Sequence, residues 1–356
     1  MKYLKAQPYR VSCPTCIAAA LALMTPVAFG QVTVFGLLDA GLVRVSADGV
    51  VAQTLIDTDG NTSSRLGFRG TEDLGGGLKA NFWIEAAVAP DTGLSGSTST
   101  NNVDSVATGG LTWGRRSTLG LEGAWGEVRL GRDYVPSFGN LTTSMHPFGT
   151  NGVGSSGHLF YPVNTGGTTV RTNVRASNSV GYFLPANDLG FYGAAMVALG
   201  GASNNGDYKG LRLGWRNGPW NMSLASGKTT YSTGDFTQTN AGVNYQMGPA
   251  KLMLLWGENQ VGVTKTTVTM IGTQWAITGQ TDLLAAYTTL GSDKVASDAT
   301  HIAMGLVHSL SKRTAVYANW AIIDNKGNGT SFGVGVKPTT PGGDSQGYEV
   351  GIRHSF

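Results

Sequence analysis

Cysteine is nearly absent from this 356-residue chain: its only two, Cys13 and Cys16, lie within the first thirty positions. Their spacing would suit a redox or metal pair, but the segment that carries them reads as a removable leader. A mature chain without cysteine has no disulfide and no thiol chemistry. Charge is also scarce, at 13% of residues. Three of the 25 basic residues, Lys2, Lys5 and Arg10, belong to the same leader, which leaves 22 bases against 22 acids. Net basicity therefore gives no argument for nucleic-acid binding. No apolar run after residue 30 is long enough for a membrane-spanning helix. Strands of alternating character are the remaining route across a bilayer.

Residues 1–30 have the anatomy of a secretory signal. A basic start is followed by the apolar core Ile17 to Met24, and Ala28-Phe29-Gly30 offers small residues for cleavage before Gln31. The apolar segment is short for a membrane anchor. What the chain has in quantity is glycine, at 53 residues, together with 12 tyrosines, 12 phenylalanines and 8 tryptophans. That composition suits one large all-β barrel over residues 31–356.

The last ten residues show the pattern most plainly. Tyr348, Val350, Ile352, His354 and Phe356 share one parity, and Glu349, Gly351, Arg353 and Ser355 the other. This is a period-two strand with one mostly apolar face. It stops at the chain terminus on an aromatic residue, where an open edge would invite aggregation. The strand makes sense if it closes a barrel against the first strand, about Val32 to Val45, whose Val32, Val34, Leu38, Ala40 and Leu42 share a face. Between them, strands are expected near 64–72, 77–87, 115–122, 127–132, 175–184, 189–199, 208–216, 220–228, 236–246, 250–257, 266–276, 280–290, 299–310 and 313–323. With 346–356 the total is sixteen. The strand near 266–276 gives no clear face.

The connectors sort into two alternating sets. One is short: 73–76, 123–126, 185–188, 217–219, 247–249, 277–279 and 311–312. The other is longer and polar: 46–63, 88–114, 133–174, 200–207, 229–235, 258–265, 291–298 and 324–345. An up-and-down transmembrane antiparallel barrel produces this, with tight turns on one side and long external loops on the other. Arginine on the lipid side near mid-bilayer costs about 2–4 kcal/mol, so Arg65, Arg69, Arg116, Arg129, Arg175, Arg212 and Arg353 are expected to face the lumen. Sixteen strands leave room for an aqueous channel.

The longest connector, about Asp133 to Val174, begins after Leu130-Gly-Arg132 and carries Phe138, Phe148, Phe160 and Tyr161 as packing anchors. A loop of that length in a compact fold is usually functional. Folded into the lumen, it would narrow the pore. Four stretches together resemble a Gram-negative general porin of the betaproteobacterial type: SRLGFRGTEDLGGGLKA at Ser64–Ala80, Leu130–Leu141, RASNSVGY at Arg175–Tyr182, and the terminal VGIRHSF. The resemblance implies a sixteen-stranded, trimeric outer-membrane channel with its third external loop folded inside. It implies partners that include outer-membrane lipid, small hydrophilic solutes and inorganic ions, and a barrel-assembly machinery that reads the terminal Phe356. It also implies wall arginines at Arg65, Arg69 and Arg132. Simple parity instead sets Arg132 on the lipid face with Val128 and Leu130. A bulge at the strand end would re-aim it, and a rim position in the headgroup region is the other reading.

The family opposes acidic loop residues to this arginine wall, and here the chain departs from the pattern. After Asp133 no Asp or Glu occurs through Val174, whereas Arg171 lies in the loop and Arg175 just beyond it. A channel lined by one sign of charge concentrates the opposite ion, so anion preference is expected. Asp39, Glu85, Glu122 and Glu127 work against it if they face the same lumen. His146, His158 and His301 match no metal-ligand spacing, and no cofactor is expected. Two other classes compete with passive diffusion: an outer-membrane lipase or protease barrel, for which His301 with Ser309 or Asp282 would have to serve, and a surface adhesin using the external loops.

Overall fold

A computed structural model describes residues 31–95, 110–162, 170, 172–201, 205–293 and 298–356. The expected signal segment and Arg171 lie outside the described residues. The chain folds as β1 (Gln31–Ala47), β2 (Val50–Thr58), β3 (Arg65–Gly75), β4 (Leu78–Ala87), β5 (Arg116–Gly123), β6 (Gly126–Tyr134), β7 (Arg175–Phe183), β8 (Phe191–Ala198) and β9 (Asp207–Asn217). It continues as β10 (Trp220–Thr230), β11 (Phe236–Met247), β12 (Ala250–Val261), β13 (Thr264–Ala276), β14 (Thr281–Ser292), β15 (Ala299–Ser309), β16 (Thr314–Asn325) and β17 (Asp344–Ser355). Each strand pairs antiparallel with its neighbours in one closed sheet.

Seventeen strands make sixteen staves, because β2 and β3 share one side of β1. The lower part of β1, Gln31 to Leu37, pairs with Thr71 to Arg65 of β3. Its upper part, Ala40 to Ala47, pairs with Thr58 to Val50 of β2. The polar segment expected as an external loop at 46–63 is thus mostly strand, interrupted by a kink at residues 59–64. A second correction concerns 258–265. There β12 and β13 run on to a two-residue turn at Gly262 and Val263 instead of a long loop. Gly262 takes φ of +58°, open to glycine without strain. The Glu258–Lys265 ion pair at 2.7 Å rides on this extension.

The ring closes where the sequence places the closure. Leu37 to Ala47 of β1 pair with Ser355 to Ser345 of β17. The terminal residue adds two more bonds, Gly36 N donating to Phe356 O at 3.1 Å and Phe356 N to Gly36 O at 3.0 Å. The Phe356 ring occupies the space a Cβ on Gly36 would need. Closure removes the edge that any open sheet leaves unpaired.

Strand parity sets the two faces. Leu119 is 62% exposed, Leu130 51% and Leu224 58%, whereas Asp39, Glu85, Asn240 and Asn259 on the alternate parity are buried. Greasy side chains outside and polar ones inside are what a hydrocarbon surround requires. The strand without a legible period, β13, explains itself here. Its inward Val268 and Met270 are fully buried beneath the long β6–β7 connector, while its outward parity carries Thr267, Thr269 and Thr273 beside Ile271 and Trp275, so neither face keeps the usual contrast.

An outward residue near mid-strand tests this assignment. Leu254→Arg on β12 should cost about 2–4 kcal/mol of stability in a bilayer. Denaturant titration of the protein refolded into lipid vesicles measures it, and an unchanged midpoint would refute the outward placement.

Candidate functional site

The sequence from Val135 to Phe160 builds a compact insert rather than a loose loop. Pro136 opens a 3-10 turn at Pro136–Asn140, and a one-turn helix follows at Gly157–Phe160. The insert packs against the polar parity of β9 to β15. Asn140 is a hub: its Nδ2 donates to Asn240 Oδ1 at 2.9 Å, and its Oδ1 accepts from Arg212 Nε at 2.9 Å and from Ser223 Oγ. Farther along, Asn240 Nδ2 donates to Ser137 O at 2.8 Å, Asn244 Nδ2 to Ser144 O at 2.6 Å and Asn259 Nδ2 to Phe160 O at 2.9 Å. Buried amides must find such partners, because an unpaired one costs its desolvation. Leu141, Met145, Phe148, Leu159 and Phe160 then join Leu255, Val268 and Met270 of the wall in one apolar cluster.

The kink at residues 59–64 lies on the other side. Asp39, fully buried, accepts from Asn61 N at 2.9 Å, Thr62 N at 2.7 Å and Tyr317 OH at 2.6 Å. Ser63 Oγ donates to Asn151 Oδ1 at 2.7 Å, which ties the kink to the insert.

Between kink and insert is a polar cavity of about 580 Å³. Arg65, Arg115, Arg175 and Arg212 line it together with Tyr134, Phe138 and Tyr161. Among the described residues Glu85 is the one carboxylate within ion-pair distance of these guanidiniums, and Asp59 acts on Arg65 and Arg115 from farther off. Arg115 Nε lies 2.5 Å from Glu85 Oε1 and Arg65 Nη1 3.5 Å. The Tyr134 hydroxyl accepts from Arg115 Nη2 at 3.0 Å and Arg175 Nη2 at 2.8 Å. The Arg175 guanidinium also sits 4.3 Å over the Tyr134 ring, which stacks on Phe138 at 5.3 Å. Holding several cations around one anion costs stability, and it leaves a positive field facing the cavity. The insert's own lining residues there, among them Thr142, Thr143, Ser144 and Asn151, are neutral.

The remaining expected wall residues form a separate group nearer the short turns. Arg129 pairs with Glu127 at 2.6 Å and with Asp133 at 3.2 Å, and Arg116 approaches Asp133 at 3.7 Å. Arg69 and Arg116 stack over Trp83 at 5.1 and 4.6 Å. This group sets three guanidiniums against two carboxylates. Arg132 follows the register break between Gly131 and Asp133, donates to Gly114 O and Ser177 Oγ, and does not line the cavity.

Arg115, Tyr134 and the 59–64 kink were not singled out from the sequence. A signal for Arg115 existed: adjacent arginines in one strand must place one on the lipid side. The strand instead starts at Arg116, and Arg115 turns inward.

The histidines sit away from the cations. His158 and His301 meet edge to face at 5.4 Å, and their Nε2 atoms address Gly152 O and Val153 O, each at 3.2 Å. No cluster of three or more His, Cys, Asp or Glu suited to a metal occurs among the described residues. A triad from His301 fails on distance. Ser309 lies eight positions along the same strand, roughly 26 Å away, and Asp282 pairs with Val307, roughly 20 Å away.

A family model described as Gram-negative porin matches residues 18–328. The chain is 35% identical to outer membrane porin protein 32 of Delftia acidovorans, covering 96% of this chain and 99% of that one. It is 25% identical to an outer membrane porin protein of Bordetella pertussis, covering 86% and 94%. Among solved structures it is similar to the anion-selective porin from Comamonas acidovorans, with a TM-score of 0.78 and 32% identity over 92% of this chain and 100% of that one.

The insert carries a pH prediction. Burial lowers the pKa of fully enclosed His146 from 6.5 to about 3, with the nearby His158 adding to the shift. The unfolded chain takes up this proton below about pH 6.5 while the folded one does not, so stability falls as pH drops through that window. Between pH 6.5 and 4.5 the loss should reach up to about 3 kcal/mol. His146 Nε2 has no hydrogen-bond partner among the described residues, so His146→Leu should remove much of the slope. Thermal unfolding midpoints of both proteins across that range check it, and equal slopes would contradict the assignment.

Proposed function

The chain belongs to the Gram-negative porin family, and from that premise we propose that its channel prefers anions and is narrowed by the Val135–Phe160 insert. The protein is an outer-membrane porin, a multi-pass barrel that lets small hydrophilic solutes diffuse across the bilayer. Relatives matched over nearly their whole length are channels, which favours this over an enzyme or an adhesin.

One observation carries the anion reading: four arginines line a cavity whose opposite wall has no carboxylate. Glu85 offsets part of that charge, and the net balance stays positive. An anion passing there gains attraction and hydrogen bonds that a cation lacks. The relative from Comamonas, itself anion-selective, agrees in sign. The Asn140, Asn244 and Asn259 bonds support the constricting position of the insert.

The rest of the proposal follows the family. Residues 1–30 are a cleaved signal, the mature chain is a homotrimer, and Phe356 guides assembly by the insertion machinery.

Single-channel recording under a salt gradient tests the selectivity. The reversal potential should lie on the anion side. Arg65→Gln with Arg212→Gln should lower the anion-to-cation permeability ratio by about fivefold or more. A cation-side potential in the unaltered protein would overturn the reading while leaving the porin intact. The insert has its own test: Asn140→Cys with Asn240→Cys should form a disulfide in the folded protein and leave it conducting. Failure to cross-link would move the insert out of the channel. Unboiled electrophoresis should show a band near three times the monomer, and a single monomer band would argue against the trimer.

A further inference from the structure

The outward wall holds a shaped feature that conduction does not use. Tyr182, Ala195, Leu211 and Ser226 of β7 to β10 form one cross-strand row. The next row toward the longer connectors is Val180, Val197, Lys209 and Lys228. Ala195 and Ser226 are small, and the larger side chains around them leave a groove of about 520 Å³. A second groove of about 470 Å³ begins at Leu213 and Leu224, the next outward residues along β9 and β10. Together they make a trough that descends the apolar face from a lysine pair.

Lysines placed directly opposite on neighbouring strands repel each other. Lys228 is relieved by Asp235, 2.5 Å away. Lys209 has no ion pair among the described residues. The nearest acid on its own strand is Asp207, whose Oδ1 accepts from Gly200 N at 2.6 Å. An exposed cation at the head of an apolar trough complements one kind of molecule, an acyl chain bearing an anionic head.

We propose that this trough binds a phosphate-bearing membrane lipid, its phosphate against Lys209 and its acyl chain along Leu211 and Leu224. The small residues matter as much as the charge, because a bulkier side chain at 195 or 226 would fill the space the chain occupies. The site is remote in character from the pore, and occupying it leaves the arginine cavity untouched.

Native mass spectrometry of the purified full protein tests this with phosphatidylglycerol and phosphatidylcholine of equal chain length. Phosphatidylglycerol should be retained preferentially. Lys209→Gln should weaken it about fivefold and leave phosphatidylcholine and single-channel conductance unchanged. Ser226→Phe should weaken both lipids, and Ala195→Leu serves if that variant does not conduct. Equal retention of the two lipids, or no effect of Lys209→Gln, would overturn the proposal. Displacement of the lipid by inorganic phosphate alone would make it a bare anion site and also overturn it. So would Ser226→Cys cross-linking subunits, because a second copy of the chain would then cover this face.

Discussion

Closure of the hydrogen-bonded ring is the constraint on which the rest of the structure depends. In hydrocarbon every backbone amide must find a partner within the protein, and a sheet can satisfy that only by having no edge. The bonds between Gly36 and Phe356 show how completely the chain meets it, since pairing continues to the last residue. Gly36 is small because the terminal ring needs its place. Once the ring is closed, parity alone decides that apolar side chains face lipid and that arginines, amides and carboxylates face inward.

Two segments outside the strand ladder pack against the polar parity of the wall, and they differ in construction. The Val135–Phe160 insert is fastened by amide hydrogen bonds and by an apolar cluster, so the wall behind it carries Leu255, Val268 and Met270 instead of charge. The 59–64 kink is fastened by one buried carboxylate, Asp39, which satisfies two backbone N–H groups and a tyrosine hydroxyl. Charge persists beneath the insert only where it is paired with polar partners, as with Glu349, which accepts from Asn319 Nδ2 at 2.6 Å, and Arg212, whose Nε donates to Asn140 Oδ1 at 2.9 Å.

Much of this architecture is legible in the sequence, because the bilayer imposes a strict period of two on most strands. The sixteen staves, the closing pair and the inward parity of Arg65, Arg116 and Arg175 all follow from alternation. Legibility fails where a second surface covers the inner face. Met270 and Val268 look lipid-facing by hydrophobicity alone, and only the insert above them explains their burial. It fails again where strands outrun the membrane, as at β2 and the Gly262 turn, since polar residues there read as loop. Arg115 escaped because its position depends on where β5 begins, a boundary that one residue decides.

The arrangement of arginines shows why counting charges is a poor guide to the site. Arg69, Arg116 and Arg129 are held by Asp133, Glu127 and aromatic faces, so their field is partly offset at short range. Arg65 and Arg115 share the carboxylate of Glu85, and the hydroxyl of Tyr134 joins Arg115 to Arg175 without neutralising either. A phenol accepts hydrogen bonds but brings no negative charge, so it orients the cations while preserving their potential. Screening in physiological salt acts over about 8 Å, and Arg116, next to Arg115 in the chain and paired across the strands with Glu85, lies within that range and adds to the field at the cavity. The local ratio of cations to acids around the cavity, and not the formal +3 of the whole chain, therefore sets the potential there.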